Sequence, residues 1–138
     1  MDSMRGFGSL LGRFLMGMIF ILAGLQKLMN PAATAAVMGQ NGIPLPGLLV
    51  YLTILVELGG GLILIAGFYT RQVAFLLFLF LIPTTLIFHT GPEMMQRVNL
   101  LKNCAIMGGL LMVAVNGGGG WSVDSATRSD SMQMRRAA

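Results

Sequence analysis

The chain has 138 residues, 55% of them hydrophobic and only 10% charged, with a mean hydropathy of +0.78. So few charges cannot cover a water-exposed globule of this size, which excludes the soluble class and leaves room for one membrane domain. The net charge of +4 comes from 9 basic and 5 acidic residues scattered at helix ends and in the C-terminal segment; with no basic stripe interleaved with aromatics, there is no nucleic-acid footprint.

Residues 1–9 form a short polar lead. Residues 10–28 follow as a mostly apolar run, the length that a bilayer core demands at 1.5 Å rise per residue. Arg5 before an apolar run resembles a signal peptide, but no A-x-A-like site follows and Gln26-Lys27 stands where cleavage would fall, so the run is read as a retained first span. Gly17, Phe20, Gly24 and Lys27 share one helical face, which puts the lysine on the close-packing side.

Residues 30–47 are an uncharged connector. Asn30-Pro31 opens like an N-cap with proline at the first helical position, so the alanine-rich piece to about Met38 is expected to form a short interfacial helix. Gly42, Pro44 and Pro46 then bar a continuous helix. The second span, residues 48–67, carries a single ionisable group, Glu57, near its middle. A carboxylate at that depth costs roughly 2.5–3.5 kcal/mol on insertion scales, so lipid is not what it faces. Thr53, Gly60 and Gly61 lie on its helical face and let a neighbouring backbone come close.

Phe68-Tyr69-Thr70-Arg71 reads as a tight turn with interfacial anchors. The third span covers residues 72–89, with Pro83 removing one backbone bond, Thr84 and Thr85 able to resatisfy a freed carbonyl, and Thr85 and His89 on one face. After Gly91-Pro92-Glu93 the fourth span covers residues 98–115, with Asn99, Lys102 and Asn103 in its first turns and Lys102, Ala105 and Gly109 on one face. Residues 116–138, beginning with four consecutive glycines after Asn116, have the composition of a flexible tail, with Trp121 resting at the headgroups.

The expected architecture is therefore all-α, a four-helix transmembrane bundle over residues 10–115. Arg5, Arg13, Arg71, Arg128, Arg135 and Arg136 fall on the side of both termini, against Lys27, Arg97 and Lys102 on the other. That excess places both termini in the cytoplasm.

The single cysteine, Cys104, excludes an internal disulfide and a CxxC pair, and reads as a small buried hydrophobe. One histidine and one cysteine match no metal-ligand spacing, so no metal, haem or flavin motif is present, and the glycine runs lack the lysine and strand of a phosphate loop. What remains is a polar constellation. Glu57, about nine residues and roughly 13 Å from one end of its span, is expected to meet Lys27 or Lys102, with His89 nearby. These four are the candidate catalytic residues; Gln26, Asn99 and Asn103 are weaker candidates for binding a cofactor.

The run R-F-x-x-G-x-x-F-x-x-A-G-x-x-K at Arg13–Lys27, G-I-P at Gly42–Pro44 and E-L-G-G-G-L-x-L-x-x-G at Glu57–Gly67 together resemble the DoxX family of small four-helix membrane proteins. Tyr69-Thr70-Arg71, His89 and N-L-x-K-N-x-A-x-x-G-G at Asn99–Gly109 fit the same pattern. The resemblance covers residues 10–115 and implies a bacterial cytoplasmic-membrane protein. The namesake relatives are associated with thiosulfate:quinone oxidoreductase, and others with membrane redox complexes or resistance to quinones and oxidants; relatives working by thiol exchange would need cysteines that this chain lacks.

On this reading the cofactor is unknown, with a quinone as the candidate, and electrons come from a partner protein. The expected partners are the lipid bilayer, other membrane or redox proteins, and a second copy of the chain. A non-catalytic accessory or assembly subunit is the alternative, in which the ion pair locks the bundle. A small-solute or proton transporter fits less well, because no inverted repeat is discernible.

Overall fold

The computed structural model describes residues 2–137 and the side-chain surroundings of residues 3–129, 131 and 132. Met1 and Ala138 lie outside the described residues, as do the side chains of Arg135 and Arg136 that entered the orientation count. The described residues form α1 (Asp2–Met29), α2 (Pro31–Gln40), α3 (Pro46–Ala66), α4 (Thr70–Phe88), α5 (Met94–Asn116) and α6 (Val123–Ala137). α1, α3, α4 and α5 are each long and apolar enough to cross a membrane, the four-span all-α bundle that the sequence implies.

α1 begins at Asp2 rather than at residue 10, because nothing in the lead stops a helix and its Gly6 is met by a partner. Gly6 lies under Trp121, and Phe7 meets the same indole edge-on at 6.3 Å. α2 starts as Asn30-Pro31 predicts: the Asn30 side chain accepts from the amide of Ala33 at 3.1 Å, with proline inside the first turn.

The four long helices form an antiparallel ring in which α1 packs along α3, α3 along α4, α4 along α5, and α5 touches α1. Phe20, Leu64, Leu77, Leu81 and Leu110 meet at its centre. The α1–α3 seam is closest where two glycines face each other. A Cβ on Gly17 would lie 2.7 Å from the carbonyl oxygen of Gly61, and one on Gly61 would lie 2.8 Å from the carbonyl oxygen of Gly17. Neither backbone can yield as a flexible side chain would, so Gly17→Ala is expected to lower stability by about 1–3 kcal/mol. Gly12→Ala, one turn away with open space around it, should instead be neutral or stabilising by up to about 1 kcal/mol. Unfolding of both variants in mild detergent checks the contrast.

At the termini end, α3 stops at Gly67, whose φ of 73° is the left-handed cap that lets its amide return to Ile63 O at 3.0 Å. Thr70 opens α4 directly. The composition of residues 116–138 predicts a flexible tail; the structure departs from this, because residues 117–122 fold across this end and α6 begins against it. Ser9 donates to Gly118 O at 2.7 Å, and Asp124 N–H to Gly67 O at 3.0 Å. The Asp124 carboxylate fills the start of α4, accepting from the amides of Tyr69 (2.8 Å) and Thr70 (2.9 Å) and from the Thr70 hydroxyl (2.6 Å).

Partial burial works against the charged form of Asp124. Those bonds and the nearby Arg128 outweigh it, and its pKa falls below the ordinary carboxylate value. A depressed folded pKa means that this contribution is complete above the unfolded value of about 4 and is lost as pH falls through the folded one. Asp124→Ala is expected to cost about 0.5–2 kcal/mol, the usual weight of a helix-start cap. The variant should also lack the part of the acid-side stability loss that wild type shows below pH 4, read from unfolding across a pH series.

Candidate functional site

The site begins with the two faces that the sequence places together. α1 brings Gly17, Phe20 and Gly24 against α3, and Gly24 lies so close to Leu58 and Glu57 that no larger residue fits without displacement. One turn further on, Lys27 reaches across the seam. Its ammonium donates to both oxygens of Glu57, at 2.8 Å and 2.9 Å. Glu57 is 4% exposed, so acyl chains are not its surroundings, while the Lys27 side chain keeps a quarter of its surface open. Among the described residues this is the one salt bridge.

The open side of Lys27 faces a cavity of about 630 Å³, a volume typical of small-molecule sites. α3 supplies Leu52, Thr53 and Val56; α4 supplies Phe80, Pro83 and Thr84; α2 closes one side with Thr34 and Met38. α2 is held there because Met38 packs onto Val50 and Ile54 of α3, with Phe88 of α4 against them. Pro83 removes a backbone donor at the wall, and Thr84 returns its hydroxyl to Phe80 O at 2.9 Å. The walls are mostly apolar, with Lys27, Thr34, Thr53, Thr84 and His89 as the polar points. His89 ends α4 and lines the cavity, its Nδ1 at 3.2 Å from Gln96 Oε1.

The sequence-predicted candidates divide accordingly. Lys27 pairs with Glu57, and His89 lines the same cavity as Lys27. Lys102 does neither: it is exposed on α5, and the choice of partner for Glu57 falls to Lys27. Asn103 is spent in the α4–α5 seam, donating to Thr85 Oγ1 at 2.9 Å. Asn99 is half-buried on α5 and Gln26 is exposed, and neither lines the cavity. α1, α2, α3 and α4 supply lining residues of the cavity, and α5 supplies none.

The packed stripe of α5 runs through Asn103, Ile106, Met107 and Leu110, about one residue round from the Lys102–Ala105–Gly109 face. Cys104, expected to be buried, is exposed for the same reason. Phe80 and Thr34 carry no signal in the sequence; Thr84 is legible there only as a partner for a backbone carbonyl, the bond it makes to Phe80 O, and Thr53 only as a neighbour of Glu57 on its helical face.

A second polar feature lies outside the predicted polar constellation. Arg13 is 1% exposed and sits at the C-terminus of α3, donating through Nη1 to Leu64 O (3.2 Å) and Ile65 O (2.6 Å) and through Nη2 to Trp121 O. Gly67 makes room for it, since any Cβ there would strike the guanidinium. This group ties three segments together and stands at the opposite end from the cavity.

Comparison with known proteins places these features in a family. The model of the DoxX family matches residues 8–90. The chain is similar to inner membrane protein YqjF of Escherichia coli K12, 37% identical over 125 residues, which are 90% of this chain and 95% of that protein. It is also similar to inner membrane protein YphA of the same organism, 31% identical over 124 residues, which are 83% of this chain and 86% of that protein. No solved structure gives a significant match.

Proposed function

The chain belongs to the DoxX family of multi-pass bacterial inner-membrane proteins, and from that premise we propose that it is a redox-associated subunit holding a quinone, or a similar small lipophile with a polar oxygen, beside Lys27. One observation carries the reading: an ammonium lines a mostly apolar intramembrane cavity while two of its three protons are engaged by Glu57. The third is available to a ligand oxygen, and charge-assisted donation in a dry site is the kind of contact that favours a developing oxyanion. Glu57 is then a positioning residue that fixes Lys27 and balances its charge. His89, at the edge of the cavity, connects the site to water. Electrons come from a partner protein. The basic excess at the termini end supports a cytoplasmic location for that end.

The test is binding of decylubiquinone to the purified full chain in mild detergent. Saturable binding is expected, weakened about 10-fold or more in Lys27→Met, the weight of one hydrogen bond to a charged group. Thr53→Leu, which fills the wall without touching the ion pair, should weaken it as well. If wild type binds no more quinone than empty micelles do, the reading fails.

One observation favours a second reading. The carboxylate has both oxygens satisfied by Lys27 and is absent from the cavity wall, as suits an accessory or assembly subunit in which the pair locks the bundle. In that case Glu57→Gln lowers the folded protein in the membrane, and the quinone titration stays flat.

A further inference from the structure

We propose that the polar cavity at the termini end is a second binding site, one that takes the phosphate headgroup of an anionic phospholipid. The cavity measures about 700 Å³ and lies between the first turn of α4, the glycine loop at residues 117–120 and the first turns of α6. Two guanidinium groups line it from separate elements: Arg71 in α4 and Arg128 in α6. Among the described residues neither has a hydrogen-bond or ion-pair acceptor for its side chain, although each carries five N–H donors.

The loop is shaped around one of them. A Cβ on Gly117 would sit 3.2 Å from Arg71 Nε, and its φ of 83° already favours glycine, so the loop backbone lies directly against that side chain. The cavity also holds a carboxylate, Asp124, but its oxygens are taken by Tyr69 and Thr70. Two cations against one satisfied anion leave a positive site. Nor do the nearby hydroxyls compete for a ligand: Ser122 donates to Gly119 O at 2.7 Å and Ser125 to Gly120 O at 2.6 Å, bonds that fix the loop.

Free donors on two planar, charged forks select an oxyanion with several acceptor oxygens, which is what a phosphate presents. The rim decides between a dissolved phosphate and a lipid. Phe68 and Tyr69 stand exposed there, edge to face at 4.5 Å, at the join of two membrane-spanning helices. Aromatic rings beside arginines at that level mark the headgroup layer, where a cation also gains from the negative surface. A phosphodiester anchored by acyl chains can reach both the rings and the guanidinium groups; inorganic phosphate uses the latter alone.

The experiment uses the full chain in neutral detergent and the emission of Trp121, the single tryptophan, which directly follows the loop in the chain and packs on Gly6 and Phe7. Dioctanoylphosphatidylglycerol, dioctanoylphosphatidylcholine and inorganic phosphate are titrated separately. Phosphatidylglycerol is expected to saturate, with the other two much weaker. Arg71→Gln/Arg128→Gln should weaken it about 30-fold, a factor of about five for each arginine near an anionic surface. Arg5→Gln, at the same end but outside the cavity, should stay within about a factor of two. Both altered arginines are exposed, and unchanged helicity shows that the variant folds. The proposal falls if both lipids bind alike, if the double variant keeps its affinity for phosphatidylglycerol, or if inorganic phosphate matches the lipid.

Discussion

Replacing Lys27 by methionine is expected to destabilise the bundle by about 3–5 kcal/mol, because it strands a carboxylate in a site that excludes water. Glu57→Leu should cost less, since the Lys27 stem keeps part of its surface open and can bend toward the interface. The double variant Lys27→Met/Glu57→Leu is the informative one. Two apolar residues of similar volume remove the desolvation cost together with the attraction, so its stability should return to within about 1 kcal/mol of wild type. The resulting coupling energy, about 3 kcal/mol or more, lies at or above the upper end for residues in contact. Reversible unfolding in mild detergent measures all four proteins. Additive costs would mean that the pair contributes nothing as a pair. Quinone titration of the double variant then separates the two functional readings, since a bundle of normal stability that has lost saturable binding is what the ligand reading requires.

Arg13→Met is the second large effect expected, about 3 kcal/mol or more. Three carbonyl groups lose a charged donor at once, each such bond contributing about 1.5–3 kcal/mol before the easier burial of methionine is set against them. Two of those carbonyls, Leu64 and Ile65, belong to the last turn of α3, where a cation also meets the negative end of the helix. Arg13→Lys should recover only part of the loss, because one ammonium cannot fork between α3 and Trp121 as the guanidinium does. Thermal unfolding followed by Trp121 emission reads both variants. A methionine variant within about 0.5 kcal/mol of wild type would put Arg13 among ordinary surface positions.

How much of this was legible in the sequence follows from how each residue earns its place. Glu57 declares itself, because an acid in the middle of an apolar run has few ways to exist. The face of Gly17, Phe20, Gly24 and Lys27 follows from helical geometry alone, and the structure buries the first three against α3. Lys102 shows the limit of that logic. Its small-residue face is sound as periodicity, but α5 is the least enclosed of the four spans, with Leu110 as its one buried residue among those described. In lipid, a stripe of small residues does not reveal how far round the helix the contact lies. Arg13 and Asp124 were missed for another reason. Each acts on backbone groups of a helix end distant in sequence, and backbone carbonyls and amides have no residue identity that a pattern could register.

The bond from Arg13 to Trp121 spans 108 residues of chain. During synthesis the guanidinium can meet the α3 carbonyls of Leu64 and Ile65 early, but its third acceptor arrives only when nearly everything else has left the ribosome. Fastening of the termini end becomes a late event, governed by arrival of the glycine loop and Trp121 after the fourth helix. Polypeptide halted near residue 116 would accordingly hold four inserted but loosely gathered segments, easy prey for membrane proteases, and the mature protein would owe its persistence to the short stretch that follows.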